Sequence, residues 1–257
     1  LSFLELMRWG RQGWLDELTF AALLTLSVAM AGFIVGLCFG ALGAAAKLSG
    51  SRVARAVADA YTTVLRGVPE LLVIYLFYFG GAAALSAIGR TFFGTSGFIS
   101  LPGFIVAALA LGLVSGAYQT EVLRGGYLAI PRGEIEAARA CGMSGFTLLR
   151  RVVVPQVLRY ALPGLGNVWQ LIIKESALVS VIGLAVSWSA IDVLGLFTIP
   201  EQRFADLLRQ AQQGAGSTRQ PFTFFLAAAA LYLVLTTAST YVFARAEQRA
   251  MRGFRRV

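Results

Sequence analysis

Six charged side chains fall in or beside long apolar stretches of this 257-residue chain. Arg66 and Glu70 are four residues apart, Glu121 and Arg124 three apart, and Lys174 and Glu175 adjacent. Ionisable groups at membrane depth are costly, so they face a protein interior or a water-filled path. A spacing of three or four puts two side chains on one helix face, so the first two sets can pair. Sequence neighbours point apart, so Lys174 and Glu175 each need a partner elsewhere. Two readings of these groups stay open. They are ion pairs at helix ends, or some of Glu70, Glu121 and Glu175 line a path where carboxylates favour a cation leaving water.

Catalytic chemistry finds little support. The chain has no histidine, which removes Ser-His hydrolysis, His-ligated haem and the His-rich zinc sites of membrane proteases. It has no GxxxxGK[ST] phosphate loop, and no paired acidic clusters in its loops that would hold Mg²⁺ or Ca²⁺. No catalytic or metal-binding residue is expected. Cys38 falls mid-membrane and Cys141 in a loop, too far apart to pair.

The most informative segment runs from about Arg124 to Tyr160. Pro131, with Glu134 and Glu136 just behind it, is a helix-start signal. Gly142 and Gly145 punctuate the run, and Arg150 and Arg151 come at the end of a second helical stretch. Two short helices around a glycine turn are expected, with a small Ala137–Ala138 face and mixed charges. From the residues alone, such a pair could equally be a surface feature without a special role.

The elements that carry these groups follow from hydrophobicity. The chain is 57% hydrophobic and 14% charged, with a mean hydropathy of +0.72. Soluble domains are nearer a quarter charged. Charge-free stretches of 29, 19, 30 and 25 residues lie between Glu17 and Lys47, Glu70 and Arg90, Arg90 and Glu121, and Arg219 and Arg245. About 20 apolar residues cross the hydrocarbon core as a helix, so each stretch holds one span. The second span is expected to start near Ala56 and to carry Arg66 and Glu70. A further span, interrupted by Lys174 and Glu175, is expected between about Leu162 and Leu196. The fold class is therefore all-α: one polytopic membrane domain over residues 1–257, with about five transmembrane helices. In the first span Gly32, Gly36, Gly40 and Ala44 recur every four residues, a smooth strip for close helix packing, within the subunit or against a membrane partner, the first being the favoured expectation. Gly112 and Gly116 make a shorter strip.

Five spans put 14 of the 22 basic residues on one side and six on the other, with Arg66 and Lys174 inside spans. Lys and Arg in short loops stay cytoplasmic, so the N-terminus is expected outside and the C-terminus inside. Trp9 and Trp14 beside Arg8, Arg11 and Asp16 suit a helix over residues 1–17 lying at the outer interface. That segment lacks the pattern of a signal peptide. The net charge of +9 reflects the loop bias and attraction to anionic membrane lipid, not nucleic-acid binding.

The segment 124–160 resembles the loop of ABC importer membrane subunits, written EAA, three residues, Gly, nine residues, then I-x-L-P. Glu136-Ala137-Ala138, Gly142 and Val152-Val153-Val154-Pro155 keep every interval, with Val replacing Ile and Leu. Resemblance extends from about Leu18 to the C-terminus through Gly43–Ser49, Tyr61–Leu71, Gly116–Gly125, Tyr160–Asn167 and Ala177–Gly183. It is most similar to polar-amino-acid permeases of the histidine/lysine-arginine-ornithine and octopine/nopaline type.

The resemblance implies the type I ABC importer fold, with five spans and an outer N-terminus. It implies that 124–160 forms a cytoplasmic coupling element, with Glu136, Ala137, Ala138, Arg139, Gly142, Met143 and Ser144 docking on an ATPase. It also implies a bacterial inner-membrane complex with a homologous second permease subunit, two ATP-binding cassette subunits and a periplasmic solute-binding protein. That binding protein would deliver solute near Phe197–Gln220. ATP and Mg²⁺ would sit on the cassette subunits, with no cofactor on this chain. The substrate would be a polar, cationic amino acid or an opine, and Arg66, Glu70, Glu121, Lys174 and Glu175 are the candidates for its path. An ion-gradient-driven carrier would need no docking loop, and a membrane-embedded enzyme would need a catalytic constellation.

Overall fold

The computed structural model describes residues 6–10, 13–93, 103–181 and 206–251, and among these it is helical with no strand. Helix α1, Leu15–Leu48, is apolar for most of its 34 residues, about 50 Å at the α-helical rise. It ends at Ser49, which is extended and whose hydroxyl donates to the Ala46 carbonyl at 2.8 Å. Helix α2, Arg52–Gly67, starts on Ser51, whose side chain accepts from the Ala54 amide. Its apolar residues Val53, Val57 and Val64 lie exposed.

The expected second span does not run straight from Ala56. Proline pushes the residue before it out of the α region, and Val68 adopts φ −95°, ψ 137° ahead of Pro69. The chain bends by 110° between α2 and the next helical stretch, Glu70–Gly80. Helix α3, Glu70–Tyr75, continues through a widened π turn, Leu76–Gly80, into α4, Gly81–Phe93. Arg66 and Glu70 thus lie on either side of a break, not on one helix face, and no ion pair joins them.

Helix α5, Gly103–Leu128, is the buried centre of the bundle. It packs along α1 through the glycine strip, within the subunit as expected. A Cβ on Gly32 would meet the Leu111 Cβ at 3.0 Å, one on Gly40 the Gln119 Cβ at 2.8 Å, and one on Gly116 the Phe39 Cβ at 2.7 Å. Helix α6, Arg132–Ala140, and α7, Gly145–Leu148, follow. A second π turn, Leu149–Val153, leads into α8, Val154–Val181. Residues 154–160 are therefore continuous with α8.

Helix α9, Leu207–Thr218, buries Leu207, Ala211 and Ala215 against α1 and α10, Pro221–Ala250. Leu6, buried, joins the same cluster, and Trp14 meets Phe224 edge-on at 5.3 Å. The N-terminal segment is thus anchored to the bundle at Leu6 while Trp9 is exposed, and in place of the expected interfacial helix residues 7–10 and 13–14 form turns and bends, with residues 15–17 opening α1.

Among the described residues three helices, α1, α5 and α10, are long and apolar enough to cross a membrane, or four if the bent α2–α3 pair counts as one. The expected span 162–196 begins on α8, and its part beyond Val181 lies outside the described residues. So do the positions 197–205 of the expected solute-delivery segment.

Candidate functional site

Glu70 heads α3, where the acid sits at the positive end of the helix. The bend just before it brings the end of α2 and the start of α3 around an open cavity of about 510 Å³. Arg66, Glu70, Tyr118 and Leu178 line it, so α2, α3, α5 and α8 all contribute. The Tyr118 hydroxyl donates to Glu70 Oε1 at 3.4 Å, and the Arg66 guanidinium lies 5.3 Å from the Tyr118 ring centroid. The expected partners are therefore connected through a tyrosine.

Glu175 comes from α8. It is 4% exposed, faces the Glu70 carboxyl, and its oxygens have no hydrogen-bond partner other than that carboxyl. Two carboxyl groups beside an aromatic ring form a site that favours a cation, because each unmet acceptor is costly while buried. Lys174 is exposed while its neighbour is buried. Three of the five path candidates, Arg66, Glu70 and Glu175, are brought together, and Tyr118 is the member that sequence reasoning misses.

Glu121 belongs elsewhere. The Lys47 ammonium donates to Glu121, lies 2.8 Å from Asp59, and donates to Thr62 Oγ1 at 2.7 Å. Arg124 completes the cluster, 3.5 Å from Glu121, as the three-residue spacing implies. This cluster joins α1, α2 and α5. Together with the hydrogen bond from Tyr61 to the Leu113 carbonyl, at 2.7 Å, it holds α2 to the bundle.

The loop between α5 and α8 has the expected first helix and glycine turn, but the second helical stretch does not end at Arg150 and Arg151: α7 runs through the π turn into α8. Helix α6 closes with the Met143 amide donating to the Ala138 carbonyl at 3.1 Å and the Gly142 amide to the Arg139 carbonyl at 2.9 Å. Gly142 has φ +80° and Gly145 φ +52°. Only glycine enters that region without strain. The Ala137–Ala138 face divides: Ala138 is buried beneath the loop, while Ala137 is exposed with Glu136, Arg139, Gly142 and Ser144. Met143 is half-buried. Arg139 and Gly142–Gly145 also edge an open cleft of about 550 Å³ that reaches Tyr127 and Val153. Glu134 accepts from Gln156, fastening α6 to the start of α8. Phe146, 73% exposed, projects from α7.

Among the described residues no group of His, Cys, Asp or Glu could hold a metal ion.

Comparison with known proteins places these features in a family. A profile described as "Binding-protein-dependent transport system inner membrane component" matches residues 32–252. The octopine transport system permease protein of Rhizobium radiobacter is 53% identical over 256 residues, 100% of this chain and 99% of that protein. The nopaline transport system permease protein of Agrobacterium fabrum is 45% identical, covering 98% of each. The histidine/lysine/arginine/ornithine transport system permease protein of Escherichia coli is 35% identical over 91% of this chain and 93% of its own length. A crystal structure of an amino acid ABC transporter with histidines superposes with a TM-score of 0.71 at 30% identity, covering 97% of this chain and 99% of that one.

Proposed function

The chain belongs to the family of binding-protein-dependent transport system inner membrane components, and from that premise we propose that it passes a cationic amino acid or opine inward through the Glu70–Glu175 site. The carboxyl pair carries this reading: two acids and a tyrosine from three helices meet in the bundle without a fixed counter-ion on Glu175. Relatives that transport octopine, nopaline and basic amino acids support the substrate class. Glu121, already engaged by Lys47, and the exposed Lys174 have the weaker claim.

The membrane bundle is one half of a pathway completed by a homologous second permease subunit. Two cassette subunits carry ATP and Mg²⁺, and a periplasmic binding protein delivers the solute. The N-terminus faces the periplasm and the C-terminus the cytoplasm, in keeping with the asymmetry of basic residues. Helices α6 and α7 then project into the cytoplasm, where Glu136, Ala137, Arg139 and Ser144 dock on a cassette subunit, with Ala138 and Met143 supporting them from beneath. Coupling requires that ATP bind one conformation of the assembly better than the other.

The test is uptake by the reconstituted complex with its binding protein. Glu70→Gln and Glu175→Gln should each lower arginine uptake at least tenfold while assembly and ATP hydrolysis persist. Normal uptake by both variants would make the pair structural and remove the path from this site.

A further inference from the structure

A cation of the chain itself stands beside the carboxylate site. Arg66 occupies the last turn of α2, and the 110° bend at Val68–Pro69 makes that turn one wall of the cavity. Its guanidinium lies over the Tyr118 ring while the Tyr118 hydroxyl holds Glu70. A planar cation on an aromatic face, with a carboxylate at the ring's polar edge, is the arrangement that recognises a guanidinium. Here the guanidinium belongs to the chain itself.

Two features make this occupancy exchangeable. Arg66 is exposed and forms no ion pair with Glu70, so it is retained by a cation–π contact of the weak, solvent-exposed kind. Helix α2 is fastened further back, by Asp59 and Thr62 to Lys47 and by Tyr61 to Leu113, and none of these bonds involves its last turn. Glu175, buried against the Glu70 carboxyl and with no other hydrogen-bond partner, keeps acceptor capacity that Arg66 does not use.

We infer that Arg66 is a tethered stand-in for the substrate's cation, resting on Tyr118 until a guanidinium- or ammonium-bearing solute displaces it. This rests on the reading of the cavity as the substrate path. The tether keeps the carboxylate site from standing open to any passing cation. It also lowers the apparent affinity for substrate by the fraction of time that Arg66 is in place.

The experiment measures L-arginine binding to the purified complex of both permease subunits and the cassette subunits, without binding protein. Arg66→Gln should bind arginine about two- to five-fold more tightly than the unaltered complex, the scale of one exposed cation–π contact. Arg66→Lys, which keeps a cation on the tether, should stay near the unaltered affinity. In a Tyr118→Leu background, Arg66→Gln should give no gain. Thermal unfolding identifies any variant that fails to fold, and Arg66→Met then carries the same expectation. Unchanged or weaker arginine binding by the folded charge-removed variant would overturn the inference, making Arg66 a bystander or part of the binding machinery. Failure of the path reading is seen separately, as unchanged arginine binding in both Glu70→Gln and Glu175→Gln. If no variant binds arginine, both fail together.

Discussion

Helices α1 and α5 meet along glycines so closely that backbone and side-chain atoms leave no space for a Cβ, whereas α2 meets the same bundle through a few polar bonds. The first contact is locked by shape. The second is held by charge and hydrogen bonds, which can break and reform at modest cost. The candidate solute site lies where α2 ends and not along the glycine seam, which places it beside the helix held by a few polar bonds. The docking loop belongs with the second kind of region: a Cβ on Gly142 would meet no atom within 4 Å, so its constraint is conformational and not steric.

Substitution in the locked seam should have the largest effect. Gly40→Leu would drive a side chain into the Gln119 Cβ at 2.8 Å and the α5 backbone at 3.2 Å, and overpacking of this kind costs about 1–3 kcal/mol or more. Loss of folded protein from the membrane is expected, read by expression and thermal unfolding. A folded, normally abundant Gly40→Leu protein would mean that the seam is not locked.

Gly142→Val should leave the bundle intact and abolish transport. A β-branched residue at φ +80° is a conformational outlier, costing about 1–2 kcal/mol or more, and the loop would relax away from its docking shape. Uptake and membrane abundance, measured on the same sample, separate this outcome from misfolding. Normal uptake would remove the loop from the coupling path.

Lys47→Met should loosen α2 selectively. It strips Asp59, Thr62 and Glu121 of a shared donor; the buried Thr62 and partly buried Glu121 carry the cost, about 1–3 kcal/mol for groups left unsatisfied. Amide hydrogen exchange should rise over 52–67 and hardly change over 103–128. A uniform rise along both helices would erase the distinction between them. The smallest effect belongs to Arg124→Ala, which removes a partner from the 41%-exposed end of the cluster. Below about 1 kcal/mol is expected, with uptake unchanged.

How much of this is legible in the sequence differs between the same regions. The seam is readable because Gly32, Gly36, Gly40 and Ala44 repeat at the helical period, and close packing is what small residues at that period permit. The loop is readable because Pro131, Gly142 and Gly145 each have one strong local use. The α2–α3 break escapes a reading by hydrophobicity although Val68–Pro69 carries the signal: a long apolar run outweighs the restriction proline places on its predecessor. Tyr118 leaves no trace at all, since one aromatic in an apolar span has no period to stand out from. Lys47 finds Asp59 on the next helix and Glu121 at the far end of α5, a relation that only the packed bundle creates. The EAA pattern puts Ala138 on the docking face, but a helix of nine residues lying on the bundle must turn one side inward, and Ala138 is on it.

The claim that α6 and α7 dock on a cassette subunit can be tested at Cys141, which is exposed beside Gly142. In a Cys38→Ser background, maleimide labelling of Cys141 is compared between the solubilised subunit and the complete complex. The account predicts rapid labelling of the subunit alone and strong protection in the complex, lost again when the cassette subunits are stripped away. Equal labelling in all three states would contradict it.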